Sequence, residues 1–200
     1  MNFLAHSVLA GDDTQVVLGS LIGDFVKGVL RADQLPKQVL LGVRLHRRVD
    51  AFSNQLPQLT QSVARLPDSL RRYAPPCIDV LADHFLAQQL NDEPAEFSNY
   101  REWLYELALG EGVQHAPGCR AFFARAQDTD LFGQYAQWSV CARTIEHVCS
   151  RMPPTALGVE LGPTMSHEIQ AHLTPLAADF ERYWPLLREH ALVFLNQQTD

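Results

Sequence analysis

The spacing of apolar residues constrains the fold of this chain more than any other feature of its sequence. Apolar side chains recur at intervals of three and four residues, and no stretch shows the sustained polar and apolar alternation of half-buried strands. This pattern predicts an all-α protein. We expect helices near residues 2–10, 14–29, 34–54, 56–66, 68–91, 95–110, 117–126, 129–151 and 164–197.

Length and composition bound the domain organisation. The chain has 200 residues, of which 46% are hydrophobic and 20% charged, values that suit one sizeable core. We therefore expect residues 1–200 to form a single helical domain. The four cysteines include no Cys-x-x-Cys pair, which predicts reduced thiols without a zinc knuckle or a disulfide framework. The Pro- and Gly-rich stretch from Met152 to Pro163 predicts a loop.

Charge is unevenly distributed along the chain. The formal net charge of −7 argues against non-specific nucleic-acid binding, yet six basic residues and one acidic residue lie between Lys27 and Arg48. Such a basic segment favours an anionic partner, although a solvated helix face with internal ion pairs is an equal alternative. There is no signal-peptide pattern and no apolar run of the roughly 20 residues that a membrane span needs. We expect a cytoplasmic protein without a membrane partner.

Residues that can bind metal or phosphate concentrate in four short segments, all within predicted helices. The segments are Asn2–His6, Gly23–Gly28, His46–Asp50 and Asp79–His84. Residues four apart within the last two segments project from one helix face. A bound cation explains ionisable side chains among apolar neighbours, because an unpaired buried charge is costly. Imidazole with carboxylate suits Mn²⁺, Fe²⁺ or Zn²⁺, and a carboxylate-rich set favours Mn²⁺ or Mg²⁺ over a structural zinc.

Each of these residues also has a simpler explanation. His6 alone is typical of a hydrogen-bonded core histidine, Asp24 with Lys27 of a surface pair, and His46 with Asp50 of a local hydrogen bond. Their concentration in the first 84 residues is what favours a shared site. The chain lacks a Walker-type loop, a Gly-x-Gly-x-x-Gly turn and a Gly-x-Ser-x-Gly elbow. Kinases, dinucleotide oxidoreductases and serine hydrolases thereby lose their usual sequence support.

Four motifs together resemble the acyl carrier protein phosphodiesterase family. They are, in order, Met-Asn-Phe-Leu-Ala-His, Gly-Asp-Phe-Val-Lys-Gly, His-Arg-Arg-Val-Asp and Asp-His-Phe-Leu. The specific motifs end near Leu86. Beyond that residue, the chain resembles the family only in its length and helical character. The resemblance implies a fold distantly related to HD-domain phosphohydrolases and a divalent cation, typically Mn²⁺, with Mg²⁺ or Fe²⁺ possible. It also implies hydrolysis of holo-acyl carrier protein to the apo form and 4′-phosphopantetheine.

The resemblance also assigns roles to individual residues. The implied metal ligands are His6, Asp24, Asp83 and His84. The implied catalytic residues are Asp24, His46 and Asp50. The residues expected to contact the phosphodiester or the acidic carrier are Lys27, Arg44, Arg47 and Arg48. The order Asp83-His84 reverses the His-Asp pair that names the HD superfamily, so ligands borrowed from that superfamily do not transfer directly.

Two other functions stay open from the sequence. One is an HD-like phosphohydrolase that acts on a small nucleotide or another phosphate ester with the same metal set. The other is a non-catalytic helical interaction module, whose His and Asp residues are satisfied core polar groups.

Overall fold

The computed structural model describes residues 2–153 and 160–198, and all regular secondary structure in these ranges is helical. The all-α prediction is thus confirmed, whereas a relation to the HD fold stays a prediction. The α-helices are α1 Phe3–Leu9, α2 Thr14–Leu21, α3 Lys37–Ser53, α4 Pro57–Ala64, α5 Asp68–Arg71, α6 Pro75–Leu90, α7 Pro94–Leu107, α8 Val113–His115, α9 Arg120–Asp128, α10 Leu131–Gln134, α11 Trp138–Ser150, α12 Leu161–Ala171 and α13 Leu173–Asn196. Short 3₁₀ turns at Gly23–Phe25 and Pro117–Cys119 and a π turn at Ala108–Gly112 join some of them.

Several predicted helices are shorter than their apolar pattern suggests. The prediction of one helix over 14–29 is wrong, because α2 ends at Leu21 and a 3₁₀ turn carries Asp24. Residues 68–91 divide before Pro75, residues 129–151 divide between α10 and α11, and residues 164–197 divide between α12 and α13. Most of the predicted loop after Pro153 lies outside the described residues. Gly162 and Pro163 belong to the first turn of α12.

Helix α6 lies at the centre of the core. Ten of its residues, from Cys77 to Ala87, are buried, and they occur on every side of the helix. A helix that is buried all round has no polar face to give to solvent. Asp83 and His84 are therefore both buried, although adjacent positions on a helix diverge by about 100°.

Helices α2 and α3 cross with their backbones in contact. A Cβ atom on Gly19 would lie 1.9 Å from the carbonyl oxygen of Val39, and one on Gly42 would lie 2.1 Å from that of Val16. Only glycine permits this approach. The contact brings the end of α2 against the middle of α3, where His46 lies.

Helix α13 covers α3 and α4 with an apolar stripe that the sequence predicts to be core. Leu176, Phe180, Tyr183 and Leu187 are all buried. The stripe also contains Asp179, whose carboxylate accepts hydrogen bonds from Arg65, Ser62 and Arg182. No helix in the described ranges is both long enough and apolar enough to cross a membrane.

Candidate metal centre

Three ionisable side chains from α1 and α3 meet at one point. His6, His46 and Asp50 each offer a ligand atom, and these atoms lie within 4.8 Å of one another. The two imidazole rings stack, with centroids 3.7 Å apart and planes 18° apart. Both histidines are buried, whereas the side chain of Asp50 is 38% exposed. The group therefore lies at the edge of the core, with Asp50 on its solvent side.

The orientation of His46 determines which of its nitrogens carries a proton. Its Nδ1 lies 2.8 Å from the carbonyl oxygen of Ser20. A carbonyl oxygen only accepts hydrogen bonds, so Nδ1 donates to it and Nε2 is the nitrogen left to meet other groups. That Nε2 faces Asp24 Oδ1 at 3.4 Å and Asp50 Oδ2 at 3.5 Å. In the neutral imidazole, three electron-pair donors then face one another, an arrangement that a cation stabilises.

A cation would also stabilise the surroundings of His6. Its Nε2 lies 3.1 Å from Asp50 Oδ1, while its buried Nδ1 has no hydrogen-bond partner in the described part of the chain. Burial, and then the neighbouring His46, lower the pKa of His6 to about 3. His6 is therefore neutral near pH 7, when one of its nitrogens offers a lone pair to a ligand.

The two carboxylates stay ionised and reach solvent. A hydrogen bond with His46 is the largest influence on Asp24 and lowers its pKa, while its side chain remains 57% exposed. Burial alone would raise the pKa of Asp50, but the hydrogen bond with His6 and nearby positive charge lower it below its usual range. Two imidazoles with two carboxylates make a nitrogen and oxygen donor set that fits a divalent cation such as Mn²⁺, Fe²⁺ or Zn²⁺.

The turn that carries Asp24 is held against α3 from two sides. A Cβ atom on Gly23 would lie 2.4 Å from Cγ of His46, so glycine alone lets the turn pass over the imidazole. Beyond the turn, Arg47 donates from Nη2 to the carbonyl of Val26 at 2.7 Å and from Nη1 to that of Gly28 at 2.9 Å. This bidentate contact fixes the chain that follows Asp24.

Asp83, a predicted ligand, lies outside this group. Its Oδ2 accepts from the backbone N–H of Leu4 at 3.0 Å, and its Oδ1 accepts from that of Ala5 at 2.8 Å. Because the first N–H groups of a helix have no partner within it, Asp83 caps α1 from another helix. Burial raises the pKa of Asp83 to about 7, although the two hydrogen bonds from the backbone lower it in part. Asp83 thereby positions the helix that carries His6.

His84, the other predicted ligand on α6, also has different neighbours. Its Nδ1 donates to the carbonyl of Tyr135 at 2.6 Å, and its Nε2 lies 3.3 Å from Gln88 Nε2. Burial lowers its pKa, so its imidazole is neutral. Adjacent positions on a helix diverge by about 100°, and here they place Asp83 towards α1 and His84 towards α10.

The four predicted docking residues also divide into two groups. The guanidinium of Arg47 donates to the backbone carbonyls of Val26 and Gly28. Arg48 lies against α13, with Nε 3.3 Å from His190 Nε2 and its guanidinium 5.9 Å from the ring centroid of Phe194. Lys27 and Arg44 are exposed. Within the described residues, Lys27 and Arg44 make no side-chain hydrogen bond, ion pair or ring contact, so the charged surface of the basic segment is narrower than its sequence suggests.

Ser20 and the clamp made by Arg47 are the functional features that sequence reasoning missed. Ser20 acts through its backbone carbonyl, for which no side-chain pattern exists. Its Oγ donates to the carbonyl of His6 at 3.0 Å, which joins α1 and α2 beside the site. The small residues Gly19, Gly23 and Gly42 are the sequence signal of the close approach that places Ser20 there.

Comparison with known proteins agrees with the resemblance in the motifs. The family model described as acyl carrier protein phosphodiesterase matches residues 1–187. A relative of that name from Escherichia coli O6:H1 is 35% identical over 196 residues, which cover 96% of this chain and 97% of the relative. One from Yersinia enterocolitica serotype O:8 is 29% identical over 203 residues, with the same two coverages. A third, from Pectobacterium atrosepticum, is 42% identical over 88 residues, 44% of this chain and 45% of the relative. No solved structure matches the chain.

Proposed function

Because the chain belongs to the acyl carrier protein phosphodiesterase family and is therefore a hydrolase, we propose that it removes 4′-phosphopantetheine from holo-acyl carrier protein with a divalent cation. The single observation that best supports the metal is the Nε2 of His46, which faces the carboxylates of Asp24 and Asp50 at 3.4 and 3.5 Å. The products are the apo-carrier, with its serine hydroxyl restored, and free 4′-phosphopantetheine.

His6, His46 and Asp50 would hold the cation, with Asp24 as a further carboxylate, and Mn²⁺ is the ion we expect. A divalent cation bound here supplies a water of lowered pKa and positive charge beside the phosphodiester. Asp83 and His84 have no part in this proposed ligand set, because their polar atoms bind α1 and Tyr135.

The remaining chemistry belongs to groups of this chain. Asp50 is ionised and partly exposed, so one of its oxygens can accept a proton from the attacking water while the other binds His6. The water oxygen forms a bond to phosphorus, the bond from phosphorus to the serine oxygen breaks, and the serine oxygen takes up the proton that Asp50 received. Asp24, at the solvent side, orients the water by accepting its other hydrogen bond.

The exposed cations near the site suit an acidic protein substrate. Lys27 follows Asp24 by three residues, and Arg44 precedes His46 by two. Complementary charge of this kind raises the rate of encounter and selects an orientation. Arg47 acts instead on the turn that carries Asp24, so we assign docking to Lys27 and Arg44, with Arg48 at the margin.

The proposed substrate is tested by following the intact mass of holo-acyl carrier protein after incubation with the protein and Mn²⁺. We expect a mass loss equal to phosphopantetheine, and no loss with a chelator. A parallel panel of nucleotides and simple phosphate esters serves as the comparison. Hydrolysis of a nucleotide with none of the holo-carrier would overturn the proposed substrate in favour of a small-molecule phosphohydrolase. No hydrolysis together with no metal-dependent rise in melting temperature would favour an interaction module.

A further inference from the structure

A cavity of about 380 Å³ lies between α9, α10 and α11, outside every motif that the sequence singles out. Its volume is within the range of small-molecule sites, about 300–1,000 Å³. Its wall includes the apolar side chains Phe122, Ala126, Leu131 and Val140. The polar lining residues are Arg125, Thr129, Gln134, Tyr135, Arg143, Thr144 and His147.

The charge of this lining is of one sign. Arg125 and Arg143 both line the cavity, and none of its lining residues in the described part of the chain is a carboxylate. Cavities elsewhere on the molecule are lined by acids, such as Asp79 in one and Glu93 in another. Arg125 and Arg143 have no ion-pair partner within the described ranges, unlike the nearby Arg101, which binds Asp130 at 2.9 Å. Guanidinium groups without a partner beside an apolar wall suit carbonyl or anionic oxygens of a ligand.

A strip of phenylalanine rings connects this cavity with the metal centre. Phe122 lines the cavity, and its ring centroid lies 4.4 Å from that of Phe3 and 6.0 Å from that of Phe25. Phe3 lies one helical turn before His6, and Phe25 directly follows Asp24. All three rings are half-buried. An apolar surface therefore runs from the site of hydrolysis to the cavity.

The inner wall makes a second connection. Tyr135 lines the cavity, and its hydroxyl oxygen accepts from Nδ2 of Asn2 at 3.1 Å, at the start of the helix that carries His6. The carbonyl of Tyr135 accepts from His84. The cavity is therefore fixed to the same elements that position the metal centre.

We propose that the cavity between α9, α10 and α11, with the strip Phe3, Phe25 and Phe122, binds the pantetheine arm of the substrate, an inference that rests on the proposed function. The arm begins beside its phosphate with a dimethyl-substituted carbon, which packs on the phenylalanine rings. Its two amides follow, and their carbonyl oxygens accept hydrogen bonds from Arg125 and Arg143. The hydroxyl groups of Thr129 and Thr144 accept from the amide N–H groups. The C-terminal half of the chain thus selects the group that leaves the carrier.

The test uses isothermal titration of the Mn²⁺-loaded protein with 4′-phosphopantetheine and, separately, with inorganic phosphate, which lacks the arm. The double variant Arg125→Gln, Arg143→Gln should weaken phosphopantetheine binding about tenfold, or about 1.4 kcal/mol, and leave phosphate binding unchanged. Gln134→Trp, which fills the cavity from its exposed rim, should have the same effect. Arg120→Gln, an exposed arginine on α9 that does not line the cavity, is the matched control and should change neither affinity.

Hydrolysis of holo-carrier by the same proteins separates this inference from the proposed function. We expect KM to rise in the cavity variants in parallel with the phosphopantetheine Kd. Unchanged phosphopantetheine binding in both variants would overturn the inference. A raised KM with unchanged phosphopantetheine binding would also overturn it, because the cavity would then bind the carrier's acidic surface. Equal weakening for phosphate would show an effect on the metal centre and count against an arm site. If the wild type leaves holo-carrier intact, the proposed function fails, and the binding results stand on their own.

Discussion

The Nδ1 of His46 lies 2.8 Å from the carbonyl oxygen of Ser20, and this contact determines the chemistry of the opposite ring nitrogen. The hydrogen bond makes Nδ1 the donor to Ser20 and directs Nε2 towards Asp24 and Asp50. It depends on Gly19 and Gly42, since only glycine allows α2 and α3 to approach so closely. The backbone crossing and the proposed metal ligand are therefore parts of one arrangement.

Replacing His46 by Asn tests this arrangement. The Asn side-chain amide can still donate to Ser20 from a position near that of Nδ1, but it leaves nothing at Nε2. We expect a folded protein whose Mn²⁺ affinity falls by about 100-fold or more and whose hydrolysis is lost, as measured by isothermal titration and intact mass. His84→Asn is the matched control, because His84 also donates from Nδ1 to a backbone carbonyl. Loss of metal binding in His84→Asn would instead return His84 to the ligand set.

Asp83 is expected to contribute more to the stability of the fold than to metal binding. Asn at this position can accept from only one of the N–H groups of Leu4 and Ala5, and its own amide N–H then opposes the other. We expect Asp83→Asn to lower the free energy of unfolding by about 1–3 kcal/mol, measured by urea denaturation. Metal affinity should fall much less than in His46→Asn. Wild-type stability with complete loss of metal binding would contradict the capping role and favour ligation.

Arg47 is expected to hold the Asp24 turn and not the carrier. Removing both of its bonds, to Val26 and Gly28, in Arg47→Ala should lower metal affinity or kcat by about 10- to 100-fold. Lys should not restore activity, because it lacks the planar fork of donors. Arg44→Ala is the control on the same helix, and its effect should be confined to a salt-sensitive KM. A purely salt-sensitive KM effect in Arg47→Ala would instead assign Arg47 to docking.

The lowered pKa of His6 predicts how the stability of the metal-free protein depends on pH. Its pKa is about 3 in the folded state against 6.5 for an unperturbed histidine. The unfolded chain therefore binds the extra proton between these values, and stability is lost as pH falls below 6.5. From pH 7 to pH 5, the wild type should lose roughly 2 kcal/mol more unfolding free energy than His6→Gln. Equal losses in urea titrations would show that His6 is not held neutral.

The sequence predicts the helical class and the convergence of six polar residues, of which four meet in the structure. His6, Asp24, His46 and Asp50 lie in short segments whose spacing is typical of a shared site, and the fold brings them together. The helix over 14–29 is an overprediction. Gly23 and Gly28 interrupt its apolar run, and the first of them is needed where the chain passes over His46.

The roles of Asp83 and His84 could not be derived in the same way. Helix α6 is apolar on every side, so its sequence contains no periodic signal that tells which neighbour each polar residue meets. The start of α1 and the carbonyl of Tyr135 reach these two residues through tertiary packing across 79 and 51 positions of the chain. The cavity beside α9 is formed by three consecutive helices within residues 120–150, but its shape depends on how they pack and not on a residue pattern.

The most direct test of the account is a titration of Mn²⁺ into metal-free wild type and His46→Asn. Bound metal and the rate of phosphopantetheine release from holo-acyl carrier protein are measured on the same samples. We predict that the wild-type rate rises in proportion to bound Mn²⁺ and is abolished by a chelator, and that the variant, folded by circular dichroism, shows neither binding nor release. Undiminished release by the variant, or by the wild type in the presence of the chelator, would contradict it.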